Sequence, residues 1–270
     1  LKSIEASGGP AVVVADHCMN EAGGSWNRDG TIVFVPDVSK GGVYKVTGAD
    51  STPVPVMTAN PDKVYAQPRF LPDGRHFLYV ALASDPGLGG TYVASLDGRE
   101  DRLVLGGNTF AIYASGFLLY LREGTLMAQA FEPERGIRKG DPPRRVVDRV
   151  AHAGDYGHRP TFDASENGIL IYSTNSEAND KRLKWFDRTG KYQGTTGEVG
   201  DYWDVRLSPD GRKLASNSGD PNSEIWVDDL EHAVRMRLTI DPGSDHGVPV
   251  WSPDGNTIVF GSMQGKLPPG

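Results

Sequence analysis

Short apolar runs and polar turns alternate along the whole chain, and the runs return at a regular interval. Five stretches share one order: a residue leading into a turn, a turn built from Asp or Asn and closed by glycine, then several apolar residues. They are residues 26–34, 70–79, 165–172, 207–215 and 251–260, and residues 114–120 are a sixth, shortened copy. The turn glycines Gly30, Gly74, Gly116, Gly168, Gly211 and Gly255 stand 44, 42, 52, 43 and 44 residues apart. A repeat of about 40–50 residues with four short strands in each period is what a blade of a β-propeller needs.

Each period resolves into four predicted strands. The turn joins an innermost strand to a second one. In Ser208-Pro209-Asp210-Gly211 the proline presets φ, the aspartate caps the turn, and the glycine takes the left-handed position. The same order predicts φ > 0 at Gly74, Gly211 and Gly255. The second strands are continuous apolar runs, as expected of strands covered on both faces by neighbouring blades. Third strands follow at 42–46, 91–96, 125–131, 183–187 and 224–230. More polar outer strands follow at 53–57, 101–105, 144–147, 192–196 and 235–239. The 52-residue spacing comes from a Pro-, Gly- and charge-rich loop at 132–143, and no long amphipathic helix is evident.

The two ends complete the count. Residues 1–6 and 11–14 read as third and fourth strands, and residues 248–251 and 257–262 as first and second strands. Together they make one blade, which removes the exposed sheet edges of an open ring. The expectation is therefore an all-β, six-bladed propeller forming one domain over 1–270, with 1–16 and 247–263 sharing the closing blade. Because each end stops in mid-blade, a piece of a longer protein is also expected.

Composition narrows the function classes. Hydrophobic residues at 38% and charged residues at 23% suit a folded globular chain and exclude a disordered one. A net charge of −7 repels phosphate backbones, so no nucleic-acid partner is expected. The densest basic stretch, 135–149, is interrupted by Asp141 and Asp148 and reads as a solvated loop. The longest apolar runs, 11–15 and 117–121, fall far short of the ~20 residues that span a bilayer, so no membrane insertion by this segment is expected. No charged-then-apolar leader opens the chain. Cys18 is the single cysteine, which excludes an internal disulfide and reads as a small packed hydrophobe.

Four longer strings occur in order with these turns. They are Gly23-Gly24-Ser25-Trp26-Asn27-Arg28-Asp29-Gly30, Phe70-Leu71-Pro72-Asp73-Gly74-Arg75-His76-Phe77-Leu78-Tyr79, Arg122-Glu123-Gly124-Thr125-Leu126-Met127-Ala128-Gln129 and Leu183-Lys184-Trp185-Phe186-Asp187-Arg188-Thr189-Gly190. In these residues the chain resembles the TolB-like, WD-repeat-related propellers, above all those attached to serine/threonine kinase domains in soil bacteria such as acidobacteria. The resemblance runs through almost the whole chain. It implies a sensor or interaction module without catalysis of its own, in a periplasmic or other extracytoplasmic location. Neither a kinase domain nor a membrane helix accompanies it here.

The strings that mark common chemistry are missing: no Gly-x-Ser-x-Gly elbow, no His-Glu-x-x-His, no glycine-rich phosphate loop and no paired-cysteine zinc spacing. Asp29, Asp73, Asp210 and Asp254 sit in turns of separate blades and read as structural. The segments approaching the innermost strands differ, because they converge on one mouth of the central channel. They are 21–24, 65–69, 155–159, 201–206 and 245–247. Pro68, Phe162, Val205 and Pro249 should face the blade sandwich, so Gln67, Arg69, Asp204 and Arg206 should face the channel. The candidate ligand-binding set is Tyr65, Gln67, Arg69, His158, Arg159, Asp201, Tyr202, Asp204, Arg206, Asp245 and His246.

Such polar and aromatic convergence suits a small polar ligand, a peptide or a protein segment. The competing reading is that these residues bond one another and channel water. His158 and His246 with Asp155, Asp201 or Asp245 have the donor types for a metal, but none is expected, and no cofactor. The expected function is a non-catalytic ligand-sensing or protein-interaction module, monomeric. The alternative is a hydrolase or lyase acting on a saccharide or peptide through channel acids and His158 or His246. If the channel mouth is the working ligand site, replacing Arg69 or Asp204 by alanine should abolish ligand binding and leave the melting transition nearly unchanged.

Overall fold

The structure is a computed structural model that describes residues 1–16, 22–37, 41–48, 52–107, 109–137, 140–150, 162–173, 181–186, 191–200, 202, 204–218, 223–240 and 244–264. Every regular element among them is a β-strand. Blade I holds β3 (Gly24–Trp26), β4 (Thr31–Phe34), β5 (Tyr44–Thr47) and β6 (Val54–Pro55). Blade II holds β7 (Val64–Phe70), β8 (His76–Leu82), β9 (Gly90–Ser95) and β10 (Asp101–Gly106). Blade III holds β11 (Ala111–Ala114), β12 (Phe117–Arg122), β13 (Thr125–Glu132) and β15 (Arg144–Val147), with a two-residue β14 (Gly136–Ile137) against β13. That short strand lies inside the segment expected to be loop: the chain folds back on β13 before its outer strand begins.

Blade IV holds β16 (Phe162–Ala164), β17 (Leu170–Ser173), β18 (Lys181–Phe186) and β19 (Tyr192–Gly200). Blade V holds β20 (Val205–Leu207), β21 (Lys213–Ser218), β22 (Glu224–Asp229) and β23 (Val234–Arg237). Blade VI is the shared one. Its inner strands are β24 (Ser244–Trp251) and β25 (Thr257–Gln264), its outer strands β1 (Lys2–Glu5) and β2 (Val12–Val13), in the order β2-β1-β25-β24. The closing register runs from Lys2 opposite Phe260 to Glu5 opposite Thr257. The molecule is thus an all-β, six-bladed propeller closed by strands from both ends, as the repeat predicts.

The core is spread over six seams, one between each pair of blades. Strand alternation decides which side chain enters which seam. On β8, Phe77 and Tyr79 pack toward blade I while Leu78 packs toward blade III. On β25, Ile258 and Phe260 pack toward blade V while Val259 packs toward blade I. The middle of most second strands is apolar because both of their faces are seams; β21 departs from the expected apolar run, with Ser216 and Asn217 buried beside Leu214 and Ala215.

The turns behave as their chemistry requires. Gly74, Gly211 and Gly255 have φ of 67°, 70° and 70°. In the turn of blade V the Gly211 N–H donates to the Ser208 carbonyl at 2.8 Å, and the Ser208 hydroxyl donates to Asp210 at 2.6 Å. Turns of successive blades are also tied together. Asn27 Nδ2 donates to the Gly74 carbonyl at 2.8 Å, the Ser115 hydroxyl to the Glu166 carbonyl at 2.9 Å, and Asn167 Nδ2 to the Asp210 carbonyl at 2.7 Å.

Candidate binding site in the central channel

The innermost strands bring residues from non-adjacent blades together. Arg69 on β7 reaches across to Asp163 on β16, Nη1 to Oδ1 at 2.7 Å, with side chains 18% and 5% exposed. The second oxygen of Asp163 accepts the Leu207 N–H at 2.9 Å. Arg206 on β20 donates from Nη2 to Gln67 Oε1 at 2.7 Å and from Nη1 to the Val205 carbonyl at 3.0 Å. The Trp251 indole N–H donates to the Arg206 carbonyl at 2.9 Å, and the Phe70 N–H donates to the Ser25 hydroxyl at 3.0 Å. Blades II, IV and V are thereby linked through the middle of the ring, with blades I and VI joined at its edge.

Local backbone sets this belt up. β7 carries a bulge between Ala66 and Arg69, where Gln67 takes φ of 52° ahead of Pro68. β24 carries another between Gly247 and Val250, where Val248 takes φ of 52° ahead of Pro249. Left-handed conformations of non-glycine residues cost on the order of 1–3 kcal/mol and persist where their surroundings hold them. The bulge swings the Gln67 side chain over Gly23, whose missing Cβ would lie 2.8 Å from Gln67 Oε1. Gly23 therefore makes room for the side chain that receives Arg206.

The sequence-predicted residues divide into three groups. Gln67, Arg69 and Arg206 meet in the belt. Asp204 lies fully buried just ahead of it, its N–H donating to Asn217 Oδ1 at 2.7 Å. The described contacts of Tyr65, Tyr202, Asp245 and His246 join neighbouring strands and blades instead. Tyr65 stacks on Tyr79 with centroids 5.5 Å apart, and its hydroxyl accepts the Asn60 N–H. The Tyr202 hydroxyl accepts from Arg235 at 3.2 Å. Asp245 accepts the Ser223 N–H at 2.9 Å. His246, 1% exposed, meets Phe260 edge-on and lies 3.8 Å from Glu224. His158, Arg159 and Asp201 lie outside the described residues.

Asp163 is the residue that sequence reasoning missed. Its signal was available: counted back from the residue that receives the turn glycine's N–H, it holds the same position as Arg69 and Arg206. The ion pair also corrects one expectation. Arg69→Ala would leave Asp163 buried without its cation, so the fold cannot be indifferent to that change.

Among the described residues, no group of three or more His, Cys, Asp or Glu side chains is placed to hold a metal ion. Among the described residues, no helix is long and apolar enough to cross a membrane.

No family model matches the chain, and no curated protein does. Solved structures do. A protein assigned as TolB from Agrobacterium tumefaciens superposes with a TM-score of 0.70 at 15% identity, over 97% of each chain. TolB from Acinetobacter baumannii gives 0.60 at 16% identity, over 82% of this chain and 54% of its own length. An oligogalacturonate lyase in complex with manganese gives 0.55 at 13% identity, over 90% of this chain and 76% of its own. At such identities the likeness is one of architecture, and the chain has the fold of a six-bladed, TolB-like β-propeller.

Proposed function

We propose that the chain is a non-catalytic binding module whose central channel receives a small polar ligand or the end of a peptide. The observation that carries this reading is Arg69. Its Nη1 is held by Asp163, while its buried Nη2 makes no hydrogen bond among the described residues. A buried guanidinium donor left over is costly, and a carboxylate or carbonyl oxygen would satisfy it with a charge-assisted bond. Asp163 is already engaged by Arg69 and the Leu207 N–H. That arrangement supports recognition over proton transfer, because a general base needs an open site within reach of the proton it takes.

The likeness in fold to TolB structures and the resemblance in turn motifs support an extracytoplasmic sensing or interaction role. The hydrolase or lyase reading draws on fold alone, since propellers host both functions.

Calorimetric titration of small carboxylates, amino acids and short peptides tests the proposal. The expected result is binding by one of these classes, weakened about tenfold in Arg69→Lys, which keeps the positive charge and loses the second nitrogen. Equal binding by wild type and Arg69→Lys would move the site away from the channel. Turnover of any panel compound would replace the binding reading with the catalytic one.

A further inference from the structure

One seam is packed unlike the other five. In each blade, one residue of the innermost strand sits opposite the first core residue of the second strand and fills the seam toward the preceding blade. The pairs are Trp26 with Ile32, Phe70 with Phe77, Tyr113 with Leu118, Leu207 with Leu214 and Trp251 with Ile258. In blade IV the pair is Ala164 with Leu170. Five blades therefore spend a large side chain there, four of them aromatic, and blade IV spends a methyl group.

The space is left open. A groove of about 330 Å³ runs along the seam between blades III and IV, with Phe117, Leu119, Ala128, Val146 and Leu170 on its walls beside Ala164. This volume lies within the range of small-molecule pockets, and an apolar cavity opened by a missing side chain takes up molecules of matching shape. Arg144 stands at the rim. It is exposed, and its guanidinium has no ion pair or hydrogen bond among the described residues, whereas its neighbour Arg145 is held by Asp148 at 2.7 Å. In a chain of net charge −7, this is a local positive edge on an apolar slot.

We propose that the groove between blades III and IV is a second ligand site, for a small aromatic carboxylate. The ring occupies the volume that Trp, Phe, Tyr or Leu fills in the other blades. The carboxylate pairs with Arg144, whose planar fork matches it and whose position at the rim keeps the charge close to water. This site is separate from the channel and does not rest on the reading given to Arg69.

Indole-3-acetate, with indole-3-acetamide as its neutral counterpart, is the probe pair for calorimetry and ligand-observed NMR. Wild type is expected to bind the acid in the millimolar range or tighter, and the amide about fivefold more weakly. Arg144→Gln should erase that preference without altering the melting temperature. Ala164→Trp, which restores the side chain of blades I and VI, should abolish binding of both probes and raise the melting temperature. If Ala164→Trp does not fold, Ala164→Leu, the residue of blade V, reads the same effect. Absence of binding by wild type, or undiminished binding by a folded Ala164→Trp or Ala164→Leu, overturns the site. Equal affinity for acid and amide overturns the role of Arg144.

Discussion

Gly211 shows how closely single positions are specified. Its φ of 70° is left-handed, and an added Cβ would lie 2.8 Å from Ile169 Cδ1 in the adjoining blade. Gly211→Val should destabilise by about 2 kcal/mol or more, from backbone strain and from the contact; a urea melt reads the change. His76 is a different kind of position. It sits between Asp73 at 2.5 Å and Glu100 at 3.3 Å. Burial of the ring opposes its charging, but the hydrogen bonds and charges of the two carboxylates outweigh this and hold it above the ordinary 6.5. A raised folded pKa stabilises fully below the unfolded value, and the contribution is lost as pH rises through the folded one. Stability should therefore decline as pH climbs from 6.5 through that raised value, and His76→Gln should flatten the slope in melts taken across the range.

Strands carry the next level. β1 closes the ring through four paired residues, and Ile4 drives it: 4% exposed, it packs with Trp251, Ile258 and Phe260 in the seam toward blade V. Ile4→Ala should cost about 2–4 kcal/mol, the range for emptying a packed core position. In contrast, Val12→Ala on β2, where Val12 is 53% exposed, should move the melt little. Comparable effects from the two would mean that the closing blade is held by pairing and not by its seam. The inner, second and third strands were legible because their apolar residues recur between turns of fixed chemistry. The short β14 was not, since Gly136–Ile137 pairs with β13 by backbone bonds that leave no pattern in the side chains.

At the scale of the whole molecule, the channel belt couples blades that are distant in sequence and not neighbours in the ring. Removing Arg69 as Arg69→Ala should destabilise by about 2–4 kcal/mol, because Asp163 stays buried without its cation, while the double change with Asp163→Leu should recover part of that loss. Additive losses in the double-mutant cycle would show that the two side chains do not depend on each other. The six-fold repeat, the four strands per blade, the left-handed turn glycines and the shared closing blade were determined by the sequence alone. All four follow from local rules, a period of apolar positions and the steric demands of Pro-Asp-Gly, which act over a few residues. The partners across the channel and the open seam beside Ala164 were decided only by the tertiary structure. Arg69 and Asp163 are 94 positions apart. Which base meets which acid depends on bulges that turn Gln67 and Val248 into left-handed backbone and on how the ring's curvature sets opposite strands face to face. A missing side chain becomes a groove only when the blade beside it fails to fill the gap, and that is a property of packing in three dimensions.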